Sequence, residues 1–150
     1  MMYLAGLVET GGHEVRFLTC DADLPTCYTL AFRPHRSAAL ECTLCRLGGV
    51  LSYRKRNISS IGTYGINAPA PEMVARDWGA SSASTISRVE SDADYASAEF
   101  IALKDKLNVP AAISYEAARA WIDREKLDAV IAFNGRMDAT RGIMEAAMDA

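Results

Sequence analysis

The chain has 150 residues and a formal net charge of -3, a length that suits one domain with a buried core. Half of its residues are hydrophobic and 23% are charged, which excludes bulk disorder; the acidic balance argues against a dedicated nucleic-acid binder, which carries a basic stripe. No apolar run reaches the ~20 residues that span a bilayer, and the first residues lack the charged-then-apolar order of a signal peptide. The expectation is therefore a cytoplasmic protein with no membrane span, in a reducing setting where stable disulfides are rare.

Residues 1–10 read as the back half of a helix, with Tyr3, Leu4, Leu7 and Val8 at helical spacing and Gly11-Gly12 as its stop. Residues 13–20 (HEVRFLTC) are β-prone after a turn and predict a strand. Residues 37–53 predict a helix, with Leu40, Leu44, Leu47 and Leu51 at spacings of 4, 3 and 4. The basic run Arg54-Lys55-Arg56 fits a solvated helix end. Residues 57–71, with Gly62, Gly65, Pro69 and Pro71, read as a loop holding a short strand over 58–64. Pro71 opens a helix at its first position, and residues 81–87 carry little signal. A helix over 93–107 shows Phe100, Leu103 and Leu107 on one face; Ser114 then caps a second helix that runs to about residue 126 and buries Ala118, Trp121 and Ile122. Residues 127–133 (LDAVIAF) form a continuous apolar run, the mark of a parallel strand covered on both faces. A polar loop, residues 134–138, leads to a helix capped by Asp138 that carries Ile143, Met144 and Ala147. Helices without a start at one end and without a stop at the other predict a piece of a longer reading frame.

Alternating strands and helices predict an α/β fold: a single Rossmann-like three-layer sandwich over residues 1–150, with a mostly parallel sheet that lacks its first strand. Ligands of such folds sit beyond the carboxyl ends of the strands. That places the loop of residues 20–25 and the loop of residues 134–138 on one edge.

Four cysteines crowd into one stretch as C-x6-C-x14-C-x2-C: Cys20, Cys27, Cys42 and Cys45. Cys42 and Cys45 share a helix face, and the other two flank a loop that can reach it. A structural zinc held by all four is one reading, since tetrahedral zinc takes soft ligands at ~2.3 Å. Disulfides are a second, and reduced thiols buried as small apolar groups a third. At the other loop, Asn134, Gly135, Arg136 and Thr140 are candidate ligand-binding residues: a helix start offers free N–H groups to an anion, and Arg136 can grip a phosphate or carboxylate. A plain strand-to-helix turn explains the same residues. Asp21 is the candidate general base for a hydroxyl acceptor, with Asp23 beside it, and both also suit a turn. His13 reads as a turn residue, and His35 has no partner visible in sequence.

The stretch Leu4-Ala-Gly-Leu-Val-Glu-Thr-Gly-Gly-His-Glu-Val15 resembles the first helix and second strand of a GT-B glycosyltransferase, where a G-H-E-V turn joins the two. Phe133-Asn-Gly-Arg136 followed by a helix, together with the cysteine-bearing segment, is similar to the amino-terminal domain of capsular-polysaccharide glycosyltransferase-like proteins. The resemblance implies an acceptor-side domain, inactive alone, whose full-length protein binds a carbohydrate acceptor and a nucleotide-sugar. The alternative is a metal- or ligand-binding or oligomerisation module with a structural cysteine cluster and no catalysis. Either way self-association is expected, because a sheet without its first strand exposes backbone. A cobalamin-type domain ranks last, since its D-x-H-x-x-G signature is absent.

Overall fold

The structure, a computed structural model, describes residues 2–22, 24–54, 61–65, 68–90 and 94–150. Asp23, Lys55, Arg56 and residues 58–60 of the expected short strand over 58–64 lie outside the described residues, and a strand does form over its residues 61–63. Among the described residues, seven helices and two short strands follow in chain order: α1 (Met2–Thr10), β1 (Phe17–Thr19), α2 (Tyr28–Phe32), α3 (Ala38–Arg54), β2 (Ile61–Thr63), α4 (Pro71–Val74), α5 (Ala80–Glu90), α6 (Ala98–Glu125) and α7 (Asp138–Met148).

This order corrects the expected fold. The chain is mostly helical, and its described strands form one parallel pair of three residues each, Phe17 opposite Ile61 through Thr19 opposite Thr63. There is no Rossmann-like three-layer sandwich. Residues 127–133, read as a strand buried on both faces, form no strand; only one side of the run touches the body.

Helix α6 is the spine. It runs 28 residues without a break, although the sequence predicts two helices parted near Pro110. A mid-helix proline removes one backbone bond and crowds the preceding turn, at about 3 kcal/mol. Packing offsets that cost here. Pro110 is buried among Leu107, Ala111, Ala112 and Ile113, each of which gains by leaving water. Ser114, the expected cap, sits inside the helix instead, buried, donating its hydroxyl to the Pro110 carbonyl at 2.7 Å. The true cap is Ser97, whose Oγ accepts from the Phe100 N–H at 3.1 Å.

Three small cores form along this spine. Ala83 and Ile86 of α5 meet Leu107, with Tyr28, Phe32, Phe100 and Leu103 around them. The β-pair side packs Leu18 and Tyr64 against Ile113 and Ala117. Helix α7 brings Ala146 and Ile143 onto Ala118 and Ile122. That last contact is close because Gly142 faces α6: a Cβ there would lie 2.0 Å from the Ala111 carbonyl oxygen. Small residues let the two backbones approach, and α7 is read from sequence correctly because its apolar residues recur at helical spacing.

Helix α3 stands apart. It meets α2 and the preceding turn through its first half, where Glu41 is buried and clamped by Arg36 at 2.9 Å and Arg33 at 3.1 Å. Residues 43–48 are all exposed. No described helix is long and apolar enough to cross a membrane.

Candidate functional site

A buried polar knot joins the two loops singled out by the sequence. Asp138, 1% exposed, opens α7. Its Oδ2 accepts from the Tyr28 N–H at 3.0 Å, at the start of α2. Its Oδ1 accepts from the Ser82 hydroxyl of α5 at 3.4 Å, while Ser82 Oγ takes the Asp138 N–H at 2.7 Å. One carboxylate thus ties three helices together. Burial pushes its pKa up to about 6, against the opposing pull of the Tyr28, Ala139 and Ser82 hydrogen bonds.

Around this knot lie the thiols. Cys27 precedes α2 as its N-cap residue. Burial pushes its thiol up; the nearby Leu30 N–H opposes this, and the charges of Asp138 and Cys42 add to it. Cys42 is likewise pushed up, first by burial and then by Cys20 and Cys45. Cys20 accepts the Ala22 N–H at 3.4 Å and packs on the Tyr64 core. All four cysteines are free. The raised thiols of Cys27 and Cys42 stay protonated at neutral pH and are poor nucleophiles and ligands. Among the described residues no three His, Cys, Asp or Glu side chains group so as to hold a metal ion. The zinc reading of Cys20, Cys27, Cys42 and Cys45 gains no support from this arrangement. As for the third reading, reduced thiols buried as small apolar groups, Cys20, Cys27 and Cys42 are half-buried and Cys45 is exposed.

Tyr64 completes the knot's rim. Burial pushes its hydroxyl up to about 12, despite a side-chain hydrogen bond with Ser114.

The candidate binding residues do not converge. Asn134 and Arg136 are exposed, whereas Gly135 is buried. Asn134 and Gly135 have left-handed φ of 71° and 55°, and a Cβ on Gly135 would meet Met144 Sδ at 2.4 Å. The left-handed φ favours glycine there, and a side chain would also have to displace the flexible Met144 thioether. Thr140 donates its hydroxyl to the Met137 carbonyl at 3.1 Å, closing the first turn of α7. The loop is therefore a strand-less turn onto a helix. Asp21, the candidate base, is half-buried with Oδ1 lacking a hydrogen-bond partner. His13 and His35 are both exposed. Beside Asp21, a shallow groove of about 280 Å3 separates residues 22–30 from α3, lined by Leu24, Pro25, Leu30, Cys42 and Arg46.

Sequence reading missed two parts of this arrangement. Ser82 lay in a stretch without apolar periodicity, and the Arg33–Arg36–Glu41 clamp had only a charge spacing to announce it. It also missed what the leucines of α3 do. Leu40, Leu44, Leu47 and Leu51 are each between 49 and 62% exposed, facing water instead of a core.

The chain matches no family model, and neither a curated protein nor a solved structure is similar to it. The GT-B assignment loses the parallel sheet it requires, and with it the strand-end cleft where Asp21 and Arg136 were to meet. The described residues define instead a small helical body with a buried polar knot and two apolar surfaces left open, one on α3 and one along residues 129–133.

Proposed function

We propose that the chain is a non-catalytic assembly module and that α3 pairs with α3 of a second copy. One observation carries this reading: Leu40, Leu44, Leu47 and Leu51 recur at 4-3-4 spacing and stay about half exposed on a 17-residue helix. This is the a/d spacing through which two helices seat each other's side chains. Single exposed leucines are ordinary, but four in register make a continuous stripe. The Arg33 and Arg36 clamp on Glu41 holds the first half of α3 to the body and so presents the stripe in a fixed direction.

Magnitudes set the expected strength. Full burial of a leucine yields about 1.5–3 kcal/mol. Eight half-exposed leucines in a pair therefore yield roughly 6–12 kcal/mol, against an association cost of about 4–15 kcal/mol. The pairing is weak and concentration-dependent. In sedimentation equilibrium from about 1 μM to about 1 mM, the average mass should climb from 16.3 kDa toward twice that value. Leu44→Glu with Leu47→Glu should move the curve at least about tenfold in concentration. An association curve indifferent to that double substitution would sink the seam.

A further inference from the structure

A cluster of aromatic and cationic side chains forms where the residues just before α5 press on α6. Close packing fixes its geometry. Gly79 donates its N–H to Asn108 Oδ1 at 2.7 Å, and a Cβ on it would lie 2.5 Å from the Lys104 carbonyl oxygen. That approach seats Trp78, 8% exposed, against Tyr115, with ring centroids 5.1 Å apart. The Arg76 guanidinium lies over the Trp78 ring at 5.7 Å, a cation–π contact. Tyr115 and Arg119 stand four residues apart on α6 and share a face. Asp149, the C-cap of α7, accepts the Tyr115 hydroxyl at 2.9 Å.

The cluster holds more positive charge than its own acids use. Arg119 is half-buried, and its Nη1 is buried with no hydrogen-bond partner. A guanidinium donor taken from water without an acceptor is costly, and folded chains rarely leave one so. The nearby acids are engaged elsewhere. Glu116 accepts the Ala70 N–H, Asp77 pairs with Lys104 at 3.2 Å, and Asp123 is exposed to water. Burial pushes the Tyr115 hydroxyl up and Asp149 adds to this, while Arg119 and Arg76 pull it down. Both cations are therefore felt at one point, where Asp149 offsets only one of them.

We propose that Arg119, Arg76 and Tyr115 bind a phosphate group, with Arg119 Nη1 as its first donor. A guanidinium is a planar fork that matches phosphate oxygens. A dianion also uses both cations, where a carboxylate needs one. Exposed Arg76 and Asp149 form the rim, and the phosphate competes with Asp149 for the Tyr115 hydroxyl. The site shares no residue with the α3 seam and does not depend on it.

The test titrates the intact chain with inorganic phosphate. Nuclear magnetic resonance follows the Trp78 indole and the Arg119 guanidinium, and equilibrium dialysis counts the bound phosphate. One phosphate should bind per chain with a dissociation constant on the order of 1 mM. Sodium chloride at the same ionic strength should not reproduce the shifts, which separates a site from screening. Acetate, with one charge, should bind at least about threefold more weakly. Arg119→Gln should weaken phosphate binding at least about tenfold and Arg76→Gln about threefold, whereas Asp149→Asn should tighten it about threefold. Thermal unfolding of each variant checks its fold. Arg76 and Asp149 are exposed, so their opposite effects decide the matter should Arg119→Gln not fold. Phosphoserine in a parallel titration identifies the source: tighter binding than inorganic phosphate assigns a monoester, and weaker binding assigns the free ion. A folded Arg119→Gln chain that binds like the parent, equal shifts with chloride, or weaker binding in Asp149→Asn overturns the proposal. Acetate binding as tightly as phosphate overturns the assignment to phosphate.

Discussion

Asp138 carries more structural consequence than any other single side chain described. Its carboxylate is shared between the Tyr28 N–H and the Ser82 hydroxyl, so the starts of α2 and α7 and one turn of α5 depend on it. Burial raises its pKa from 3.8 to about 6. The folded chain therefore holds this proton more tightly than the unfolded chain does. Where the folded state binds more protons, stability falls as pH rises. The fall occupies the window from about pH 4 to about pH 6 and amounts to roughly 3 kcal/mol, at 1.36 kcal/mol per pH unit. Glu41 has the opposite sign. The hydrogen bond from Arg36, aided by Arg33, lowers its pKa, so its contribution is present above the usual carboxylate range and is lost as pH falls through its lowered value. Urea unfolding at about pH 5 and about pH 7.5 should show the native chain more stable at the lower value, and Asp138→Asn should flatten that difference and raise stability at the higher one. A slope that survives in Asp138→Asn would assign the effect elsewhere. The sequence marks Asp138 as the cap of α7, but the structure gives the N-cap position to Met137 and makes Asp138 the first helical residue. The sequence could not reveal the partners, because Ser82 and Tyr28 lie 56 and 110 positions away.

At the scale of elements, two glycines in two helices predict opposite results. Gly142 lets α7 lie against α6, and a Cβ there would meet the Ala111 carbonyl at 2.0 Å and the Tyr115 nitrogen at 2.9 Å. Both are backbone atoms of a packed helix and cannot swing aside. Gly142→Ala should therefore cost about 2 kcal/mol or more despite the better helix propensity of alanine, seen as a Tm lower by about 4–8 °C. Gly48 of α3 has nothing within 4 Å of its Cβ position. Gly48→Ala should stabilise by about 0.5–1 kcal/mol by restricting the unfolded chain. Thermal unfolding of the two variants side by side checks both, and equal signs would contradict this account of the α6–α7 contact. The elements themselves were legible where periodicity was strong: α3 through its leucines, α7 through Ile143, Met144 and Ala147. They were misread where local rules and packing disagree. Pro110 and Ser114 together spell a helix break followed by a cap, and tertiary burial overrides both. Helix α5 escaped notice because its serines leave little apolar periodicity, although Ala83 and Ile86 supply the two core contacts it needs.

For the whole molecule, the sequence suggested a layered sheet because three segments had strand composition. Among the described residues, the structure pairs three residues of β1 with three of β2, and residues 127–133 form no strand. The apolar character that implied two covered faces is real; the chain itself covers one. The same holds for α3, whose leucines predicted a helix without revealing that the stripe faces outward. On the proposed α3 seam each chain offers one surface, so pairing closes at two copies. Light scattering at high concentration should show the mass stop at twice 16.3 kDa, and Leu44→Glu with Leu47→Glu should leave single chains. Growth past two copies would mean that another surface contributes, with the exposed Tyr3 and Leu7 of α1 the next place to substitute.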